Sequence, residues 1–339
     1  MDIKVSINCI TYNHEKYIAD AIESFLMQKT NFKYEILIGE DCSTDNTKKI
    51  VSAYVEKYPD LIRLITSENN VGAMKNSQRL FENARGKYIA LCEGDDFWID
   101  PYKLQKQIDY MESNPECTIC FHNAEVRDKN NAPIGKLHVP WSVHQRKYYY
   151  GKNYRYSAGE MALLDFIPTA SIVFLKECLS SPPDWINHSI VGDTPLRLIA
   201  SSKGYAFFID EVMSVYRLGV NGSETARANI ENMDKKKLII RLKKHIEIID
   251  NFNDYTNYQY ANELNKAKVY WEVPLLLHTR QIDKLKNQKY KEYLNNLGFK
   301  GLTHLYLSYY FPKIHSNMTN LKRKIRGIFI EDDLRDTNG

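Results

Sequence analysis

The feature that constrains this chain most is a regular alternation of short apolar runs and helical spacings over its first 125 residues. Residues 5–10 form an apolar, strand-like run, and residues 15–28 place Tyr17, Ile18, Ala21, Ile22 and Phe25 at helical spacing. The order then repeats. Strands are predicted at 34–38, 61–66, 87–92 and 117–126, and helices at 45–58, 73–84 and 102–111. Local punctuation agrees: Ser43 or Thr44 stands where an N-cap belongs, Pro59 follows a helix end, and Pro101 sits at a helix start. Such a βα order predicts an α/β fold, a Rossmann-like and mostly parallel sheet with helices on both faces. Ligands of these sheets bind beyond the carboxyl ends of the strands. Three polar clusters fall there: Thr11-Tyr12-Asn13, Glu40-Asp41 and Glu93-Gly94-Asp95-Asp96.

Composition removes other classes. Of 339 residues, 43% are hydrophobic and 12% aromatic, which supplies the apolar surface a packed core needs and argues against disorder. Six cysteines are too sparse for a disulfide scaffold, and Cys9, Cys92 and Cys178 lie in apolar runs. Cys117 and Cys120 have CxxC spacing, but on a strand they do not converge, and no second pair completes a zinc site. The start of the chain alternates like a strand and has no signal-peptide core, and no run reaches the ~18 apolar residues of a spanning helix. A reducing cytoplasm is therefore the expected setting. Neither GxxxxGK[ST] nor GxGxxG is present, which sets aside P-loop NTPases and nicotinamide dehydrogenases.

Beyond residue 125 the pattern loosens. Residues 127–158 read as irregular and tyrosine-rich (Tyr148, Tyr149, Tyr150, Tyr154, Tyr156), as a functional lid or an insert would. Strands are predicted at 169–175, 205–209 and 212–217, with a helix over 193–202. From about residue 228 the spacing is helical, and the charge changes with it. The formal net charge of +4 divides into −3 over residues 1–228, +10 over 229–327 and −3 over 328–339. Leu302, Leu305, Tyr306, Leu307, Tyr309, Tyr310 and Phe311 precede Lys322, Arg323, Lys324 and Arg326. An aromatic patch followed by a basic cluster suits an anionic membrane surface, with the protein peripheral on the inner face. Packing against the body or an oligomer contact is the other reading of the same stripe, and nucleic acid is not the expected partner.

The clusters suggest chemistry by residue type. Carboxylates crowded as in Glu93-Gly94-Asp95-Asp96 repel unless a cation neutralises them, and hard oxygen ligands suit Mg²⁺ or Mn²⁺. An acidic turn before the next helix explains the same residues without a metal. Asp41 can accept from a base N–H or a ribose hydroxyl, while Ser43 or Asp45 can also serve as a simple cap. Thr11, Tyr12 and Asn13 offer a hydroxyl, an aromatic face and an amide, or alternatively a strand-end turn. Trp98 follows the acidic cluster and is expected to face its crevice or to fill the core. His122 ends a strand, either bordering an acceptor site or buried and satisfied.

Taken together, Ile10-Thr11-Tyr12-Asn13, Glu40 to Thr47, Asn70-Val71-Gly72-Ala73-Met74-Lys75-Asn76 and Glu93-Gly94-Asp95-Asp96-Phe97-Trp98 resemble family 2 glycosyltransferases of GT-A fold over about residues 3–220. The resemblance implies an inverting enzyme that moves a sugar from a nucleoside-diphosphate sugar, usually UDP-linked, to a hydroxyl of a glycan or lipid-linked acceptor in bacterial surface polysaccharide assembly. It assigns donor binding to Thr11, Tyr12, Asn13, Glu15, Asp41, Ser43, Asn70, Gly72, Lys75, Asn76, Glu93, Gly94 and Arg217. Metal binding, to Mn²⁺ or Mg²⁺, falls to Asp95 and Asp96, and a weak acceptor contact to Trp98 and His122. Glu93 replaces the family's first Asp of DxD. Asp193, before a helical run, matches the catalytic base, with helix capping as the plainer reading. Many relatives carry a His after the position of Arg217, and Leu218 to Ser223 contain none, which leaves a third metal ligand open. Arg217 itself suits a phosphate or a neighbouring carboxylate equally. The expected organisation is a GT-A catalytic domain over 1–227, with a nucleotide-sugar half to about 125 and an acceptor half after it, and a basic helical region over 228–339. A catalytically inactive glycan-binding or scaffold protein on the same fold is the alternative, opposed by intact Asp41, Asp95, Asp96 and Asp193.

Overall fold

The computed structural model describes residues 2–137, 154–164, 167–220, 222–223 and 234–311. The first βα repeats are β1 (Val5–Thr11), α1 (Ile18–Leu26), β2 (Tyr34–Glu40), α2 (Thr47–Lys57), β3 (Ile62–Thr66), α3 (Ala73–Asn83), β4 (Tyr88–Leu91), β5 (Phe97–Trp98), α4 (Lys103–Ser113) and β6 (Cys117–Asp128). After them come β7 (Pro133–Leu137), β8 (Tyr154–Tyr156), α5 (Ala158–Leu163), β9 (Val173–Leu175), α6 (Asp193–Ser202) and β10 (Tyr205–Leu218). One sheet carries all ten strands in the order β3-β2-β1-β4-β9-β6-β10-β5, with β7 on β6 and β8 on β10. The β1–β2, β1–β4, β2–β3 and β6–β10 ladders are parallel, and the shorter pairings are antiparallel. The sheet is thus mixed, parallel in the half that carries the polar clusters.

Packing explains the strand and helix limits. Val5, Ile7 and Cys9 on β1 and Ile36 and Ile38 on β2 are fully buried against Ile18, Ala21, Ile22 and Phe25 of α1. Those α1 positions recur at three- and four-residue intervals, the stripe its sequence advertises. α1 starts three residues later than its spacing predicts, because the chain before it is held by the β2–α2 loop. Glu15 N–H donates to Asp45 Oδ2 at 3.1 Å, and Glu15 Oε2 accepts from Asn46 N–H at 3.0 Å. Asn46 stands at the N-cap position of α2 without a side-chain cap bond. Of the cap candidates Ser43, Thr44 and Asp45, Asp45 is the one that bonds the helix start, its Oδ1 accepting from Thr47 N–H at 2.9 Å.

The predicted strand over 169–175 begins as a 3-10 turn (Thr169–Ser171), in which Ser171 N–H and Oγ both bond the Pro168 carbonyl, and only then becomes β9. The two strands predicted at 205–209 and 212–217 are one, with irregular register between Ile209 and Ser214. Of the tyrosine-rich stretch, β7 and β8 are described, while Tyr148, Tyr149 and Tyr150 lie outside the described residues.

The remaining helices are α7 (Lys235–Tyr255), α8 (Ala261–His278) and α9 (Lys291–Tyr310). Two compact units result, one within residues 1–233 and 247–267, the other within 234–246 and 268–339. Division by packing and division by charge at residue 228 therefore do not coincide. The second unit has its own small core of Val269, Val273, Leu276, Leu285, Tyr290 and Leu305. Lys322, Arg323, Lys324 and Arg326 lie outside the described residues.

Candidate active site at the carboxyl ends of β1, β2 and β4

Because β2, β1 and β4 are neighbours, their carboxyl ends bring the three polar clusters into one crevice. Asp41 N–H donates to the Thr11 carbonyl at 3.1 Å, and Gly94 N–H to the Ile10 carbonyl at 2.9 Å. Gly94 must be glycine: a Cβ there would lie 2.7 Å from Thr11 Oγ1 and 2.9 Å from His14 Nδ1.

The loops after β1 and β2 are welded to each other. Asn13, at φ 57°, accepts from Thr44 N–H at 2.8 Å through Oδ1, and its own N–H donates to Ser43 Oγ at 3.0 Å. Ser43 N–H in turn donates to Glu40 Oε1. These bonds and those of Glu15 engage Asn13 Oδ1, Ser43 Oγ as an acceptor and Glu15 Oε2, and so fix the shape of the two loops at the strand ends. Thr11 is buried with its hydroxyl unpartnered among the described residues, and Tyr12 is half-buried.

Asp41 is buried and organises the next segment. Its Oδ1 accepts from Val71 N–H at 2.8 Å and Ser67 Oγ at 3.2 Å, and its Oδ2 from Gly72 N–H at 2.8 Å. Asn70 Nδ2 donates to the Asp41 carbonyl at 3.2 Å. Gly72 takes φ +85°, which a side chain would resist. Lys75 is exposed on the first turn of α3. Asn76 does not reach the crevice. It is 1% exposed, with Nδ2 on the Gly39 carbonyl at 2.7 Å and Oδ1 accepting from Arg79 at 2.7 Å, so both ends of its amide are consumed inside.

In the acidic turn, Asp95 and Asp96 are buried and Glu93 is half-buried. Asp96 Oδ1 accepts from Arg217 N–H at 2.8 Å. Burial, and then the neighbouring Asp95 charge, push the Asp96 carboxyl well above the usual range. Asp95 Oδ2 lies 4.0 Å from His14 Nε2. Burial holds the His14 imidazole below its usual range although Asp95 pulls the other way. Sequence reasoning passed over His14; the only available signal was its place directly after Asn13.

Arg217 is not presented to a phosphate. It is 2% exposed, Nη1 donates to the Asp95 carbonyl at 2.8 Å, and Nη2 pairs with Asp20. Trp98 is likewise corrected to the core. It is 1% exposed, donates to the Ala170 carbonyl at 2.7 Å and meets Phe25 edge-on. His122 is fully buried with Nδ1 against the Asn123 carbonyl, and burial, then Lys103, hold it well below its usual range.

Asp193 is the first residue of α6, with Gly192 as cap. Its Oδ1 accepts from Thr194 N–H at 2.8 Å, and the side chain is half-buried. A Cβ at Gly192 would meet Met74 Sδ at 3.0 Å, so the start of α6 adjoins the start of α3. A polar cavity of about 350 Å³ is lined by Lys16, Tyr17, Asp20, Lys129, Asn130, Asn131 and Arg217.

No cage of three or more His, Cys, Asp or Glu side chains converges among the described residues. The donor set still fits a hard cation of the Mg²⁺ or Mn²⁺ type, which is commonly held by one or two carboxylates and completed by substrate phosphates and water. Among the described residues, Asp95 has no recorded side-chain partner closer than His14. Asp96 is tied to Arg217 N–H through Oδ1.

Known proteins place this arrangement in a family. The Mycobacterium tuberculosis protein named Uncharacterized protein Rv1520 is 34% identical over 230 residues, 64% of this chain and 60% of that one. The chain thus spans about 60% of the length of the curated relatives it matches first. The Escherichia coli UDP-Glc:alpha-D-GlcNAc-diphosphoundecaprenol beta-1,3-glucosyltransferase WfgD is 34% identical over 146 residues, 43% of this chain and 55% of the other. Among solved structures, Staphylococcus aureus TarS 1–349 in complex with UDP-GlcNAc shares the fold with a TM-score of 0.55 at 15% identity over 91% of both chains. The mannosyltransferase PcManGT of Pyrobaculum calidifontis, in complex with GDP-Man and Mn²⁺, does so at 0.55 and 14% identity over 95% of this chain and 85% of the other. Residues 6–172 match the sequence profile of Glycosyl transferase family 2, and the strand-end clusters they carry are those of the crevice above. On that match, residues 6–172 of the chain belong to glycosyl transferase family 2.

Proposed function

We propose that this protein is an inverting glycosyltransferase that moves a sugar from a UDP-linked donor to a hydroxyl of a glycan or lipid-linked acceptor in surface polysaccharide assembly. The observation that carries the reading is the convergence of Asp41 and Asp95 at the ends of strands flanking β1, with the start of α6, and so Asp193, beside Met74. Asp41 Oδ2, with Gly72 N–H as its one recorded donor, retains acceptor capacity suited to a base N–H. Tyr12 offers a ring face to the base, and Lys75 a cation to the diphosphate. Asp95 would hold a divalent cation, whose charge would stabilise the leaving diphosphate.

Asp193 supplies the proton acceptor. One of its oxygens is occupied by Thr194 N–H, and the other has no recorded partner among the described residues. That oxygen takes the proton of the acceptor hydroxyl as the hydroxyl oxygen bonds to the anomeric carbon and the bond from that carbon to diphosphate breaks. Attack opposite the leaving group inverts the configuration. Support for a UDP donor comes from the complexes named for TarS, and for a lipid-diphosphate acceptor from the name of WfgD. The test is UDP release from a panel of UDP-sugars with Mn²⁺. Turnover that disappears in Asp95→Asn and Asp193→Asn supports the reading. Unchanged turnover in Asp193→Asn removes the base, and no release with any donor favours the glycan-binding alternative.

For the second unit we propose peripheral contact with an anionic membrane on the cytoplasmic face. No helix among the described residues is long and apolar enough to cross a membrane. On α9, Phe299, Tyr306 and Tyr310 are 85%, 46% and 58% exposed at helical spacing, with Lys300 and His304 exposed beside them. Aromatic rings beside cations suit the headgroup boundary of anionic lipid.

A further inference from the structure

Arg217 places a guanidinium inside the acidic turn, and what neutralises it decides what the turn can bind. Its main-chain N–H donates to Asp96 Oδ1 at 2.8 Å, and its Nη1 to the Asp95 carbonyl at 2.8 Å. Nη2 pairs with Asp20, from the outward face of α1. The guanidinium carbon lies 4.5 Å from the Phe97 ring centroid and 5.1 Å from that of Tyr17, so aromatic faces restrict where it can turn. A buried cation without a carboxylate partner is costly and draws in whichever anion is near. Asp95 meets the guanidinium through its main-chain carbonyl and Asp96 takes the Arg217 main-chain N–H, while Asp20 is the carboxylate that pairs with the guanidinium. Asp20 has a half-exposed side chain and, with Arg217 itself, Lys16, Tyr17 and Lys129, lines the cavity of about 350 Å³.

We infer that Asp20 is a positioning residue for the donor site: by taking up the Arg217 guanidinium it keeps that charge off the Asp95 carboxylate and leaves Asp95 open to a cation–diphosphate pair. This rests on the donor reading above. Without the Asp20 charge, the guanidinium turns to Asp95 or Asp96 and competes with the divalent cation there. Nothing in the local sequence marks the residue. Asp20 lies three positions after Tyr17 on a helix whose exposed face is otherwise ordinary, and its partner is 197 residues away.

The experiment is calorimetric binding of UDP to the full-length protein, with Mn²⁺ and separately in EDTA, alongside thermal unfolding. Asp20→Asn is expected to weaken UDP binding in Mn²⁺ about tenfold and to leave binding in EDTA within about twofold, because only the metal-dependent part is contested. Asp20→Glu, which keeps the charge, should stay within about threefold of the unsubstituted protein. Asp20→Asn/Arg217→Gln removes the unpaired cation as well, and should recover most of the loss; it also serves if Asp20→Asn alone does not fold. Equal weakening with and without Mn²⁺ would mean a structural role only and would overturn the inference, as would unchanged binding in Asp20→Asn or a double variant no better than the single one. Unsubstituted protein that binds UDP without any gain from Mn²⁺ overturns the inference alone. Unsubstituted protein that binds no UDP overturns the donor reading with it.

Discussion

Lys103 opens α4 inside the core of the first unit, fully buried, with Nζ donating to Gln107 Oε1 at 2.8 Å and lying 4.1 Å above the Trp98 ring. Burial is the largest influence on it and lowers its pKa from 10.5 to about 7. Each unit of pKa corresponds to about 1.4 kcal/mol, so keeping the charged form inside costs about 5 kcal/mol at low pH. Between pH 7 and 10 the unfolded chain binds more protons at this lysine than the folded chain does. Stability from this group therefore rises with pH across that window and is constant below it. The remaining cost is about 4 kcal/mol at pH 7 and about 2 kcal/mol at pH 9. Replacing Lys103 with methionine removes this cost together with the Gln107 bond and the ring contact, worth about 1 kcal/mol each. The variant is expected to be about 2 kcal/mol more stable at pH 7, an advantage that shrinks by about 2 kcal/mol by pH 9. Urea denaturation of both proteins at half-unit steps from pH 6 to 9 measures the difference, in which titrations common to both cancel. Parallel stability curves would refute the reasoning, as would an advantage that grows with pH.

Three further outcomes follow from the same geometry. Asp193→Asn should lower kcat by at least about a hundredfold while UDP binding changes less than about threefold, read by coupled assay and calorimetry. Gly94→Ala should destabilise the protein by about 1–3 kcal/mol and weaken donor binding, because its Cβ has no room beside Thr11 and His14; a variant as stable as the parent would contradict the close approach. Phe299→Ser with Tyr310→Ser should reduce sedimentation with anionic vesicles, an effect that salt reproduces in the unsubstituted protein and neutral vesicles do not show.

Much of the first unit is legible from local pattern. β1, α1, β2 and α3 follow from apolar spacing because their buried positions recur with the period of the element. Asp41 and Asp95 could be placed at strand ends because chain order and parallel pairing put them there. Individual roles were harder to read. Asn76 and Trp98 look presentable on the chain, yet Asn76 is consumed by Gly39 and Arg79, and Trp98 by Ala170 and Phe25. The start of α2 offered Ser43, Thr44 and Asp45 alike, and packing chose among them: Ser43 is engaged by Asn13 and Glu40, and Asp45 accepts from Thr47.

The chain by itself determined the alternation of elements, the carboxyl ends where chemistry can gather, the family resemblance and the change of charge near residue 228. All of these depend on residue type and short-range spacing. Only the tertiary structure decided which polar side chains stay open to a ligand and which are spent. A buried polar group must find its partner, and that partner comes from whichever distant segment packs beside it. Arg217 shows the difference plainly: phosphate and carboxylate suited it equally on the sequence, and the outward face of α1 supplied the carboxylate.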